Sequence, residues 1–179
     1  MIRAISKRLR RFGKDESGAA MLIEFCVFVP LIFTAFFMAF EMGFYSQRQM
    51  YLDRGLDVAV RYIRLGTGTQ FDHDEIKDVI CANAGFLEDC DNTLRLEMQR
   101  VNPRSFTTLP DNADCIDTAE TIEPARGFSL GVSHDIMLLR ACVKFDPVFP
   151  TTGLGNEFQT DGAGKVKMLS VAAFVQEPS

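Results

Sequence analysis

From Ala19 to Phe40 the sequence reads AAMLIEFCVFVPLIFTAFFMAF, apolar throughout except for one charge, Glu24. At about 1.5 Å per residue this run makes roughly 33 Å of helix, the thickness of a bilayer's hydrocarbon core. A globular domain within a chain of 179 residues could hardly enclose a helix that is apolar on every face. A cleaved secretory signal would have a shorter apolar region, about 7–15 residues, ending in a small-x-small site. This run instead continues into Phe40-Glu41-Met42-Gly43-Phe44. The stretch therefore predicts a transmembrane helix.

The flanks give that helix a direction. Arg3, Lys7, Arg8, Arg10, Arg11 and Lys14 precede it against Asp15 and Glu16, while only Arg48 and Arg54 follow closely. The positive-inside rule keeps the short N-terminus in the cytoplasm and sends the rest outward. Residues 1–18 carry +4 on a chain of −5, so the body carries −9. An acidic body would repel a phosphate backbone, which argues against a nucleic-acid partner.

Cysteine usage points the same way. Cys26 lies inside the apolar run, where it serves as a small apolar side chain. Cys81, Cys90, Cys115 and Cys142 all fall on the exported side, an even number suited to two disulfides in an oxidising compartment. Four cysteines allow three connectivities. Cys81–Cys90 with Cys115–Cys142 is favoured, because the first pair closes a short local loop. No C-x-x-C is present, and the spacings do not resemble a zinc site.

Beyond the apolar run the helical pattern continues. Leu52, Leu56, Ala59 and Ile63 fall on one stripe, with Asp53, Arg54, Asp57, Arg61 and Arg64 over much of the remaining surface. Gly66-Thr67-Gly68 ends it. The expected rod runs from about Glu16 to Leu65, roughly 75 Å, its lower half in lipid and its upper half amphipathic. Pro30 lacks a donor and crowds the carbonyl of Cys26, so a kink or loosened turn is expected there.

The remainder reads as a compact domain. Asp72 to Ala84 suits a short helix with Ile76, Val79 and Ile80 on one side. Thr93 to Val101 alternates apolar and polar residues as a half-buried strand, and Ile136–Phe145 and Val166–Val175 are two further strands. Residues 102–127 and 146–155 read as loops, the first tied down by Cys115. The expected fold is α+β: a long N-terminal helix packed on a small antiparallel, disulfide-bonded domain. Its divisions are a basic leader (1–18), a transmembrane helix (19–40), an amphipathic continuation (41–66) and an extracytoplasmic domain (67–179).

Catalytic chemistry finds little support. The chain has two histidines, His73 and His134. Asp72-His73-Asp74 is adjacent in sequence and cannot turn all three side chains to one ion, so it reads as a helix cap with acidic first-turn residues. His134, after Gly131-Val132-Ser133, reads as a turn residue. No H-E-x-x-H, P-loop or G-x-G-x-x-G occurs, and no cofactor or metal is expected.

Glu24 is the residue that demands a reason. A carboxylate in hydrocarbon costs about 2.5–3.5 kcal/mol on insertion scales. It lies about 7 Å from the inner end of the span. Either it reaches the interface or is neutralised where it sits, or it pairs with a cation carried by a neighbouring helix; the last favours assembly.

A short basic leader, Gly18-Ala19-Ala20, Glu24-Phe25, Pro30 and Glu41-x-Gly43 together resemble the TadE-like family of tight-adherence (Tad) pilus systems. The far end is similar too, in Arg140-Ala-Cys-Val-Lys-Phe-Asp-Pro147, Pro150 and the terminal Ala172-Ala-Phe-Val-Gln-Glu-Pro178. The resemblance covers residues 10–66 and about 136–178. It implies a minor pilin-like subunit, processed at the cytoplasmic face by a prepilin peptidase near Gly18, Ala19 and Ala20. It implies partners among other pilin subunits and a pilus-assembly platform. In the family, the new terminal amine pairs with a glutamate at mature position five. Cutting after Gly18 would place Glu24 at position six; cutting after Ala19 restores position five, and that site is favoured. Two other readings stand beside this one. The first is an uncleaved single-span anchor that recruits envelope partners. The second is a membrane-tethered enzyme or binding module, which a pocket joining His73, His134 and carboxylates would support.

Overall fold

The computed structural model describes residues 17–66, 71–102, 104, 105, 113, 115, 116, 127–151 and 153–178. Helix α1 (Ser17–Leu65) is 49 residues long, about 74 Å of continuous helix. It is followed by α2 (His73–Asn83), the short turn α3 (Cys90–Thr93), strands β1 (Arg95–Val101) and β2 (Ile136–Phe145), the short turn α4 (Leu154–Glu157) and strand β3 (Val166–Val175).

The two halves of α1 live in different surroundings. From Met21 to Phe36 every large apolar side chain except Val29 is exposed, Met21, Leu22, Phe25 and Leu31 by more than 60%. Glu41 is the first buried side chain along the helix among the described residues. Above it, Leu52, Leu56, Ala59 and Ile63 are at most 1% exposed. Asp53, Arg54, Asp57, Arg61 and Arg64 all face outward. The helix is long and apolar enough at its N-terminal end to cross a membrane.

The sheet is β1-β2-β3, both pairs antiparallel. On one face Leu96, Met98, Met137, Leu139, Met168 and Phe174 join the α1 stripe and Ile76 and Ile80 of α2 in one core. β3 alternates cleanly, with Val166, Met168, Ser170 and Phe174 buried and Lys167, Leu169, Val171 and Val175 exposed. Polar contacts set how α1 lies on the sheet. Ser170 Oγ donates to Asp53 Oδ1 at 2.6 Å, and Gln49 Nε2 donates to the Leu169 carbonyl at 3.0 Å. α2 approaches α1 most tightly at Gly55, where an added Cβ would stand 2.9 Å from the Ile80 carbonyl oxygen.

The other face of β2 carries charge and sulfur. Arg140 faces Glu97 across the β1–β2 ladder and binds its carboxyl group through Nε and an Nη, both side chains nearly buried. Cys142 is bonded to Cys115, and Cys81 at the end of α2 is bonded to Cys90 at the start of α3.

Two boundaries differ from expectation. Thr93 closes α3 instead of opening β1: Asp89 sits at φ 54, and Thr93 Oγ1 donates to the Asp89 carbonyl at 2.9 Å. Beside the Cys81–Cys90 bond, that turn takes up residues an alternating pattern would assign to the strand. In the second case, α4 interrupts the segment read as loop, because Gly153 (φ 58) reverses the chain and starts a helical turn. Gly66 is described at the helix end, whereas Thr67 and Gly68, most of the leader and most of 102–127 lie outside the described residues.

Candidate functional site

Glu24 stands on the freestanding half of α1. Its side chain is exposed, as are the apolar neighbours Ile23, Phe25, Val27 and Phe28 around it. No hydrogen bond or ion pair joins it to another described residue. Gly18 and Ala20 are exposed at the start of the helix, and the Ala19 backbone is helical. Cys26 is a free, exposed thiol in the same stretch. The helix continues through Pro30, whose carbonyl accepts from Thr34 Oγ1 at 2.7 Å; the carbonyl that the missing proline N–H leaves without its ladder donor is that of Cys26, four residues earlier.

Where the freestanding half meets the domain, a polar collar holds the two together. Glu41 is 2% exposed, and its two carboxyl oxygens accept from the backbone N–H groups of Val148 (3.0 Å) and Phe149 (2.9 Å). One turn below, Phe37 meets Phe149 with ring centroids 4.9 Å apart. Two turns above, Arg48 donates to the Asp146 carbonyl at 3.1 Å and lies over the Phe145 ring at 4.7 Å. Tyr45 packs between the Phe145 and Phe158 rings. Phe37, Glu41, Tyr45 and Arg48 extend the Leu52–Ile63 stripe downward at spacings of three and four. The sequence reading began that stripe at Leu52 and missed the collar. The available signal was a stripe that keeps its helical period while switching from aliphatic to aromatic and charged residues.

The loop on the collar's sheet side is held by a second cluster. Asp161 Oδ2 accepts from Lys144 Nζ at 2.6 Å, and its Oδ1 accepts from the N–H groups of Ala163 (2.9 Å) and Lys165 (2.8 Å). Burial pushes the Asp161 carboxyl upward, but the Lys144 and backbone hydrogen bonds outweigh it and hold the group below the usual carboxylate range. Such a group adds stability above its unfolded value that is lost as pH falls through the folded one. Lys165 also pairs with Asp146 at 2.9 Å.

The two histidines are placed apart from this collar. Asp72 caps α2 by accepting from the His73 N–H, and the His73 ring contacts Asp74 and the edge of Phe128. His134 sits at φ 71 in the turn before β2, where its N–H donates to the Gln176 carbonyl. Among the described residues no group of three or more His, Cys, Asp or Glu side chains is arranged to hold a metal. An open groove beside α1, lined by Met42, Ser46, Gln49, Asp53 and Asp57 among others, includes neither histidine. The site the geometry does build is mechanical: an apolar helix bearing one acid, locked to a folded domain through a buried carboxyl. Comparison of the chain with protein-family models, with curated proteins and with solved structures gives no match.

Proposed function

We propose that this chain is a non-catalytic assembly subunit, minor pilin-like, of a Tad-type pilus system. It is anchored in a bacterial inner membrane with its N-terminus in the cytoplasm and its disulfide-bonded domain in the periplasm. The observation that carries the proposal is the setting of Glu24, an acid on an apolar half-helix with no described partner in its own chain. In lipid such a group favours whichever packing brings a cation beside it. The free amine of a processed pilin subunit, or a basic residue on a neighbouring helix, has the required charge. The resemblance to the TadE-like family, carried by Glu24-Phe25, Pro30, Glu41-x-Gly43 and the C-terminal motifs, supports the same reading. It also implies processing near Gly18–Ala20 by a prepilin peptidase.

The test is Glu24→Ala in a cell that makes the pilus. The expected variant inserts in the membrane at wild-type level but no longer co-purifies with pilin subunits or the assembly platform. Normal pilus output from that variant would overturn the assembly role. Mass spectrometry of the membrane form reads the N-terminus directly: a start at Ala19 or Ala20 supports processing. An intact Met1 would instead make the chain a permanent anchor that recruits its partners.

A further inference from the structure

The collar places a loop where a membrane surface should be. We infer that the loop residues Pro147–Thr151 form a lipid-facing foot, seated in the outer interface of the bilayer that α1 crosses. This rests on the membrane-span reading of α1 and adds a second point of contact to it.

Length gives the first argument. Between Ala19 and the last fully freestanding residue, Phe36, α1 provides about 27 Å of helix, slightly less than the ~30 Å hydrocarbon core. To cover the core, the hydrocarbon must reach the level of Phe37 and Met38. That is where the loop lies: Phe149 packs on Phe37, and an added Cβ on Gly153 would meet Met38 Cγ at 3.0 Å. The foot and the top of the apolar run therefore occupy the same depth.

Composition gives the second. From Pro147 to Asn156 the sequence PVFPTTGLGN carries no charge, and the charges resume at Asp146 and Glu157 on either side. Val148, Pro150 and Thr151 are exposed, so the loop shows uncharged surface, led by a 40% exposed valine, at the level of Glu41. The remaining argument concerns hydrogen bonding. Irregular backbone survives near hydrocarbon only when its polar groups have partners within the protein. The N–H groups of Val148 and Phe149 have theirs in Glu41, a buried acid with no other described role.

The chain has no tryptophan, so single-tryptophan variants report depth without background. Full-length protein carrying Val148→Trp, Phe33→Trp or Val132→Trp is reconstituted in phosphatidylethanolamine–phosphatidylglycerol vesicles. Its emission is then quenched either by nitroxide-labelled lipids or by aqueous iodide. Val132 is 64% exposed in the turn near Gln176, whose side chain reaches the Ile63 carbonyl about 38 Å up the helix from Met38. The expected result is strong quenching of the Val148 variant by shallow nitroxides, with iodide quenching several-fold weaker than for Val132→Trp. Thr151→Trp, also on the foot, should match it and guards against misfolding of the first variant. If both foot variants are quenched by iodide as Val132→Trp is, while Phe33→Trp is lipid-quenched, the foot is wrong and the span stands. If Phe33→Trp is itself iodide-accessible, the span reading falls and takes the foot with it.

Discussion

The lower half of α1 is far more apolar than the upper half, yet only the upper half finds protein to bury against. Above Glu41, the buried apolar residues keep to one stripe and charges fill much of the rest, so the helix has a side for the sheet and a side for water. Below it, apolar residues surround the helix, and no face is singled out for a domain. Apolar content alone therefore does not say where a helix packs. The angular distribution of the charges does, because a charge must find water or a partner, whereas an apolar side chain accepts any neighbour that excludes water. Glu24 is the exception in the lower half, an acid with no hydrogen bond or ion pair to another described residue.

Mutations that shift residues between these two regimes should separate them. Leu56→Ala removes a side chain that is 1% exposed and should lower the unfolding free energy of the folded domain by about 2–5 kcal/mol. Leu31→Ala, 63% exposed in the lower half, should change it by no more than about 0.5 kcal/mol. Near-ultraviolet circular dichroism of the full chain in detergent, titrated with urea, reads both. Equal effects would dissolve the distinction. Glu41→Ala strands two backbone donors and should cost about 2–4 kcal/mol in the same assay, a loss that Glu41→Gln only partly restores because its amide offers one acceptor oxygen for two donors. Gly153→Ala places a Cβ at positive φ against Met38 and should cost about 1–2 kcal/mol, loosening the loop from the helix.

The smallest effect is set by pH. Asp161 is held below the usual carboxylate range when folded, so its contribution is fully present above about pH 4 and fades as pH falls through the lower folded value. Thermal melts taken from pH 6 down to pH 3 should show a steeper fall in wild type than in Asp161→Asn, which is less stable at pH 6 and less acid-sensitive. Parallel curves would mean the Lys144–Asp161 pair does not stabilise the base of the domain.

Much of the fold was readable because local periodicity carries it. Strands β2 and β3 and the end of α1 at Leu65 fall at the bounds read from the sequence; in β3 and α1 the pattern reflects burial on one face, whereas nearly every side chain of β2 is buried. Asp72 as the cap of α2 follows from the chemistry of short polar side chains before a helix. The collar was not readable in the same way. Glu41 is separated by more than a hundred residues from the N–H groups it serves, and nothing local to either segment reports the pairing. Arg140 with Glu97 and Lys144 with Asp161 are likewise matched only by sheet register or by a returning loop.

Sequence alone thus determined the membrane-length helix, its amphipathic continuation and the strands, because one-dimensional patterns of polarity encode which face of an element avoids water. Tertiary structure alone decided which buried acid holds which loop, and that the loop after β2 reaches down to Phe37 and Met38. Those pairings depend on where distant segments come to rest, and the free energy of one hydrogen bond leaves no periodic trace in the chain.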